Sequence, residues 1–188
     1  MQGCLCGVPC HVCALFTGAD EECAVLVPFT REGCAQGERS LHLLDKNERA
    51  NRLSRLREGG IDVEAAQRNG QLHIEVWEDA YLHGGRFDVD HMLGFVEEAL
   101  AIGRQRGLAR TRVWANMEWA LAAAPGAEGL ADYESPVNVI LRRYGDAVVC
   151  AYDVTRFPSA IIENVVRARP YLLADGWGQE NPHYVPPG

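Results

Sequence analysis

The amino-acid sequence predicts an α/β fold in three layers, with a mostly parallel β-sheet between two layers of helices. Two features of the chain support this prediction. Segments of strand length alternate with longer segments of helical periodicity. The first and fifth predicted strands, Cys10–Phe16 and residues 147–152, are almost continuously apolar. Such strands are typical of parallel sheets, where helices cover both faces.

The first half of the chain contains three of the predicted strands. After the first strand, residues 17–35 are predicted to be helical, and Pro28 is expected to kink this helix or end its first half. Thr17 and Asp20 have the spacing of a capping box. The other predicted elements of this half are strand Arg39–Leu44, helices 47–57 and 62–67, and strand 72–77.

The second half contains the clearest helix, which begins at Phe87-Asp88 and ends near Gly107, with Asp88 as its predicted N-cap. Its apolar residues recur with helical spacing and form one stripe, made of Val89, Met92, Leu93, Val96 and Leu100. The elements predicted to follow are strand 111–115, helix 128–144, strand 147–152, helix 158–167 and strand Tyr171–Ala174.

Length, composition and charge indicate one ordinary globular domain. The chain has 188 residues, of which 47% are hydrophobic and 23% charged. We expect an irregular lead-in at residues 1–9, a domain at 10–174 and a loosely ordered tail rich in glycine and proline at 175–188. The net charge of −8 disfavours a nucleic-acid surface, and the basic segment 52–57 is interpreted as a solvated helix face.

The sequence gives no sign of a membrane span or a signal peptide. The apolar runs are shorter than the roughly 18 residues that cross a bilayer, and the first residues lack the basic and apolar segments of a signal peptide. We therefore expect a cytoplasmic protein without a membrane partner, in which the seven cysteines are reduced thiols.

The carboxyl ends of parallel strands meet at one edge, where open α/β sheets bind ligands. Five segments are expected to converge there: residues 17–20, Asp45, 77–81, 116–119 and 152–156. Their aromatic and polar side chains suit a small-molecule pocket, although the aromatic residues suit a core equally well. The residues predicted to bind a ligand are Trp77, Tyr81, Met117, Glu118, Trp119, Tyr152, Asp153 and Arg156, together with His11 and Cys13, which share one face of the first strand.

The turn after the first strand does not have the composition of a phosphate-binding loop. Such a loop needs several glycines followed by lysine and serine or threonine. Residues 16–22 contain one glycine, no lysine and three consecutive acids, which would repel a triphosphate. Nucleotide hydrolysis is therefore not expected. The sequence also contains no nucleophile and base at an indicative spacing, and we predict that the protein is not an enzyme.

Four cysteines lie close together at the start of the chain, namely Cys4, Cys6, Cys10 and Cys13. Four thiols are enough to bind zinc or copper(I), which gives the alternative of a metal or redox sensor. Two observations weaken it. The chain has no second cysteine pair across a longer spacer. Alternation along a strand also points Cys10 and Cys13 to opposite faces, so we expect no cofactor beyond a possible zinc or copper ion.

Motifs over residues 10–173 resemble the MEDS domain family, the sensory domain of methanogen and methylotroph regulators of the DcmR type. The matching residues are His11-Val12-Cys13-Ala14-Leu15-Phe16, Glu21-Glu22, Val25-Leu26-Val27-Pro28-Phe29, Gly33 with Gly37-Glu38, Gly70-Gln71-Leu72, Tyr81-Leu82, Phe87-Asp88 with Met92-Leu93, Met117 with Trp119-Ala120-Leu121, Tyr133-Glu134 with Asn138, and Cys150-Ala151-Tyr152-Asp153 with Arg156-Phe157. Two departures are Asn116 and Glu118, where the family's acid is displaced by two positions, and Arg169-Pro170, where the family has His-Pro.

The resemblance implies a RecA/KaiC-like core that has lost its phosphate loop, in agreement with the acidic turn. It also implies a sensory module for signal transduction or transcriptional regulation that binds a small, largely apolar molecule. Signalling would then pass through a protein partner, such as a kinase or regulator, or through a homo-oligomer. A second alternative is an adaptor that binds such a partner without any ligand.

Overall fold

The structure, a computed structural model, describes residues 10–83, 86–122 and 130–185. The strands are β1 Cys10–Phe16, β2 Arg39–Leu44, β3 Leu72–Val76, β4 Leu82–His83, β5 Arg86–Phe87, β6 Thr111–Asn116, β7 Ala147–Asp153, β8 Tyr171–Ala174 and β9 Trp177–Glu180. The α-helices are α1 Ala19–Ala35, α2 Arg49–Glu58, α3 Val63–Arg68, α4 Trp77–Ala80, α5 Val89–Gln105, α6 Leu130–Tyr144 and α7 Ser159–Arg167. Short 3₁₀ helices lie at Lys46–Glu48 and Glu118–Ala122.

Seven strands form one sheet in the order β3-β2-β6-β7-β1-β8-β9. All neighbouring pairs are parallel except β8 and β9. In the centre, β1 lies between β7 and β8, and Cys13 is aligned with Cys150 and with Leu172. This mostly parallel sheet confirms the predicted fold class.

Both faces of the sheet are covered by helices, because the inner strands are apolar on both sides. On one face, Cys13 and Cys150 lie in a core cluster with residues of α5, α6 and α7. On the other face, Val12 and Val149 pack with Leu26 of α1. A further cluster on β2 and β3 is covered by α2 and α3. The result is the predicted arrangement of three layers.

The two predicted helix starts have different outcomes. Asp88 is the N-cap of α5, since its Oδ1 accepts a hydrogen bond of 2.8 Å from the backbone N–H of His91. The prediction of a capping box at Thr17 and Asp20 is wrong. The helix starts at Ala19, after Gly18 with a φ of 129° that favours glycine, and Glu21 instead accepts hydrogen bonds of 2.6 Å from the backbone and hydroxyl of Thr17.

Three regions differ from the sequence-based element assignment. The third strand ends at Val76, and α4 follows directly. A short antiparallel hairpin of β4 and β5 precedes α5. Strand β9 lies in the segment that was predicted to be loosely ordered, and it pairs with β8. Asn181 then holds the end of this segment, since its Nδ2 donates to the carbonyl oxygens of Val166 and Arg169.

Candidate functional site

A cleft of about 540 Å³ opens at the carboxyl edge of the sheet. Its walls come from the segments after β1, β2, β3, β6 and β7, which are the five segments predicted to converge. The lining residues are Phe16, Gly18, Ala19, Glu22, Leu44, Asp45, Asn47, Glu48, Arg52, Trp77, Asn116, Glu118, Leu121, Ala151, Tyr152, Asp153 and Arg156. The lining therefore combines apolar surfaces with many polar groups.

Five of the residues predicted to bind a ligand line this cleft: Trp77, Glu118, Tyr152, Asp153 and Arg156. Trp77 is partly exposed, whereas Tyr152 is fully buried and lies against Phe157, with 5.2 Å between ring centroids. Asp153 accepts hydrogen bonds from the backbone and hydroxyl of Thr155 through Oδ1. The cleft lining thus includes both aromatic and charged side chains.

Three other predicted residues, Tyr81, Met117 and Trp119, lie in the core instead. The Trp119 ring stacks between Tyr81 and Phe87, with centroid distances of 4.8 Å and 4.9 Å. These residues line a small internal cavity of about 20 Å³. That space corresponds to about one water molecule, which is far smaller than the cleft.

The remaining predicted pair, His11 and Cys13, is buried on the face of β1 that packs against α6. Nδ1 of His11 lies 3.2 Å from Oδ1 of Asn138, and Nε2 lies 3.3 Å from Sγ of Cys150. Burial holds the pKa of His11 well below its ordinary value, and the nearby charge of Arg169 lowers this pKa to a smaller extent. The imidazole is therefore neutral at physiological pH.

Glu22 is the centre of a largely buried polar network that lines the cleft. Its Oε1 accepts hydrogen bonds from Nη2 of Arg52 at 2.8 Å, from Nε1 of Trp114 at 2.8 Å and from Nδ2 of Asn116 at 3.1 Å. The Arg52 side chain is 6% exposed and also donates to Oδ1 of Asn116. The network links α1, α2 and β6.

Sequence reasoning missed Glu22 and Arg52 as members of the site. The interpretation of segment 52–57 as a solvated face is wrong for Arg52, although the Arg55 and Arg57 side chains are 38% and 48% exposed. The spacing along the helix could have indicated that Arg52 is buried. Arg52 lies four residues before Leu56, so both side chains lie on the same face of the helix and point into the interior.

The cleft carries more negative than positive charge. Five carboxylates line it, against the guanidinium groups of Arg52 and Arg156. Burial and the nearby carboxylates of Glu22 and Asp153 raise the pKa of Glu118, while a hydrogen bond to its own backbone and the charge of Arg156 act in the opposite direction. The Glu118–Arg156 contact is 3.9 Å long, and the Arg156 side chain is 57% exposed.

The first turn of α1 offers no site for a phosphate. Each of its three acids is engaged by this protein's own groups: Asp20 with Arg55, Glu21 with Thr17 and Glu22 with Arg52. Three carboxylates at a helix N-terminus oppose the binding of another anion there. The geometry thus agrees with the absence of a phosphate-loop sequence.

The predicted thiol site falls partly outside the described residues, since Cys4 and Cys6 precede residue 10. Cys10 begins β1, and Cys13 is fully buried. Within ranges 10–83, 86–122 and 130–185, no group of three or more histidine, cysteine, aspartate or glutamate side chains is arranged to hold a metal ion. Burial also raises the pKa of the Cys23 and Cys34 thiols, which disfavours their reactive thiolate forms.

The parallel sheet, the cleft at its carboxyl edge and the acidic first turn of α1 define a three-layer α/β domain without a phosphate loop after its first strand. The fold is similar to the crystal structure of a KaiC-like protein from the hyperthermophilic archaeon Pyrococcus horikoshii OT3, with a TM-score of 0.61 and 14% identity. The similarity covers 88% of this chain and 71% of the other chain, and at this identity it establishes the fold alone.

The chain belongs to the MEDS family, the MEthanogen/methylotroph, DcmR Sensory domain, whose family model matches residues 10–170. It is also similar to the transcriptional repressor DcmR of Methylorubrum extorquens (strain DSM 6343 / CIP 106787 / DM4), with 27% identity over 159 residues. The match covers 84% of this chain and 57% of the repressor, so the chain spans little more than half the length of that relative. Across the part of the chain that the structure describes, no helix is both long enough and apolar enough to span a bilayer.

Proposed function

We propose that the chain is a non-catalytic sensory module that binds a small organic molecule in the cleft. The observation that carries this proposal is the cleft itself, with a volume of about 540 Å³ at the edge of the sheet where parallel α/β domains bind ligands. Small-molecule sites typically have volumes of about 300–1,000 Å³. The ligand has both apolar and polar parts, because Trp77 and Leu121 share the lining with charged groups.

The output of this module is regulatory. Membership of a sensory-domain family and similarity to a transcriptional repressor support this part of the proposal. Because the chain spans 57% of that repressor, the regulatory step passes through a further protein segment, a protein partner such as a kinase or regulator, or a second copy of the chain. Ligand binding changes the affinity of the module for that partner by favouring one of two conformations.

The experiment that tests ligand binding is a thermal-shift screen of small organic molecules against three proteins. These are the wild type, Trp77→Ala in the cleft wall, and Val139→Ala, which removes a side chain that is 50% exposed on α6 and outside the cleft. A ligand at 100 times its Kd stabilises the folded state by about 2.7 kcal/mol. This corresponds to a rise in Tm of roughly 5–10 °C for a chain of this size.

We expect ligands that raise the Tm of the wild type and of Val139→Ala but have a smaller effect on Trp77→Ala. Equal shifts in all three proteins would place the ligand elsewhere. A screen in which no compound stabilises the wild type would contradict the proposal and favour the ligand-free adaptor.

A further inference from the structure

The charge balance of the cleft indicates the chemical class of its ligand. Asp45, Glu48 and Asp153 line the cleft, and none of them has a lysine or arginine nitrogen within 4.0 Å among the residues that the structure describes. Glu118 has only the 3.9 Å contact with the exposed Arg156. Glu22 alone is closely paired, with Arg52. The cleft therefore has an excess of uncompensated negative charge, which favours a cation over an anion.

The carboxylates are spread around the cleft rather than focused on one point. In the described ranges no three acidic, histidine or cysteine side chains converge as metal ligands do. A metal ion requires several oxygen atoms within about 2.6 Å of one centre. An organic cation has its charge distributed over a larger surface, and separated carboxylates suit it better.

The aromatic wall fits the same class of ligand. Trp77 is partly exposed and lies in the lining with Glu118 and Asp153. Indole is the side chain that attracts organic cations most strongly through its ring face, and substituted ammonium groups are recognised in this way. A carboxylate near an indole ring combines charge attraction with an apolar contact for the methyl or methylene groups.

The Arg52 side chain indicates a second feature of the ligand, a hydrogen-bond acceptor. Its side chain is 6% exposed and lines the cleft, and its Nη2 donates to Glu22 and Asn116. Its Nη1 is buried and has no hydrogen-bond partner among the described residues. A buried donor without an acceptor is energetically unfavourable, so a ligand oxygen that accepts a hydrogen bond from Nη1 would stabilise the complex.

We propose that the cleft binds a small organic ammonium compound that also carries a neutral oxygen acceptor, such as a hydroxyl group. The ammonium group lies beside Trp77, Glu118 and Asp153, and the oxygen accepts a hydrogen bond from Nη1 of Arg52. This inference rests on the proposed function, because it assigns a ligand class to the same cleft.

Isothermal titration calorimetry with three probes of nearly equal shape tests the inference. The probes are choline, 3,3-dimethylbutan-1-ol, which replaces the cationic nitrogen by carbon, and propyltrimethylammonium, which replaces the hydroxyl group by methyl. Choline is expected to bind at least about tenfold more tightly than the neutral alcohol, and its affinity is expected to fall as salt is added. Loss of the hydroxyl group is expected to weaken binding several-fold, since Nη1 of Arg52 is then left unpaired.

Two variants connect the preference to the cleft. In Glu118→Gln, the advantage of choline over the neutral alcohol is expected to shrink to a few-fold. The matched control is Asp90→Asn, which removes the same charge from the exposed first turn of α5, outside the cleft, and is expected to retain the full preference. Circular dichroism of both variants is used to check that they fold like the wild type.

Equal binding of choline and the neutral alcohol would overturn the ligand class and leave the proposed sensory cleft in place. If none of the three probes binds, the ligand class is also overturned. The proposed function is tested separately, by the thermal-shift screen with Trp77→Ala. Equal affinity of choline and propyltrimethylammonium would remove the role of Arg52.

Discussion

Single residues in the lining of the cleft combine structural and chemical roles. Glu22 accepts three hydrogen bonds from Arg52, Trp114 and Asn116, and it also contributes to the raised pKa of Glu118. By contrast, Asp20 in the same helical turn pairs with Arg55 at an exposed position. Neighbouring acids of the first turn of α1 therefore contribute very differently to stability, because the Glu22–Arg52 pair is largely buried and the Asp20–Arg55 pair is solvated.

The substitution Glu22→Gln is expected to reduce the free energy of unfolding by about 3 kcal/mol, because it leaves the buried Arg52 cation without its carboxylate. This loss corresponds to a fall in Tm of roughly 6–12 °C. The control Asp20→Asn removes an exposed ion pair and should cost less than about 1 kcal/mol. Urea unfolding of both variants measures the difference, and equal losses would contradict the buried network.

Glu118→Gln is expected to stabilise the folded protein at neutral pH by on the order of 0.5 kcal/mol. The folded state raises the pKa of Glu118 above its ordinary value, so ionisation of this carboxyl costs stability as the pH rises through the raised pKa. Below the ordinary pKa the group is protonated in both states, and the gain of the variant disappears. Urea unfolding at pH 7.5 and pH 4.0 tests this sign, and a variant less stable than the wild type at pH 7.5 would reverse it.

The two tryptophans of the predicted site are expected to respond differently to truncation. Trp119→Ala removes a fully buried ring stacked between two others and should cost about 3–5 kcal/mol. Trp77→Ala removes a partly exposed ring of the cleft wall and should cost about 1 kcal/mol. Thermal unfolding compares the two, and a Trp77→Ala variant that is as unstable as Trp119→Ala would assign Trp77 to the core.

At the scale of elements, helix α5 shows how side-chain size sets helix position. A Cβ atom at Gly103 would lie 2.4 Å from Oγ1 of Thr111 on β6, so the Thr111 side chain, the helix or the strand would have to shift. At Gly94, on the same helix, a Cβ atom would meet no atom within 4 Å. The sheet therefore accepts α5 at this distance only because residue 103 has no side chain.

Gly103→Ala is expected to destabilise the protein by about 1–3 kcal/mol, because the added methyl group overlaps Thr111 in the packed interface. Gly94→Ala is expected to stabilise it by up to about 1 kcal/mol, since alanine favours the helix and the space is open. Chemical unfolding of the two variants should give opposite signs. A stabilising Gly103→Ala would show that α5 lies farther from β6.

The sequence predicts best those elements whose capping residues and apolar pattern lie within the element itself. The N-cap Asp88 and the apolar stripe of α5 lie within one segment, and both predict the observed helix. Strand β9 was missed because its stabilisation comes from pairing with β8 and from the contacts of Asn181 with Val166 and Arg169, which no local pattern encodes. The misplaced start of α1 has a different, local origin, since Glu21 rather than Asp20 accepts the hydrogen bonds of Thr17.

At the scale of the whole molecule, sheet topology determines where a ligand can bind. The parallel order of the central strands brings five separated segments to one edge, and this convergence could be predicted from the alternation of strands and helices. The division between cleft and core could not. Trp77 ends one predicted strand and Trp119 follows another, and only the packing of Trp119 between Tyr81 and Phe87 distinguishes the core residue from the cleft residue.

We expect the molecule to bind its ligand in the cleft rather than in the internal aromatic core. Protein labelled with ¹⁵N in tryptophan resolves the indole N–H signals, and Trp77→Phe assigns the signal of Trp77. Titration with a compound that stabilises the wild type in the thermal-shift screen is predicted to shift the Trp77 signal while that of Trp119 stays in place, because Trp119 is fully buried outside the cleft. A shift of the Trp119 signal with that of Trp77 unchanged, or no shift of either signal, would contradict this expectation.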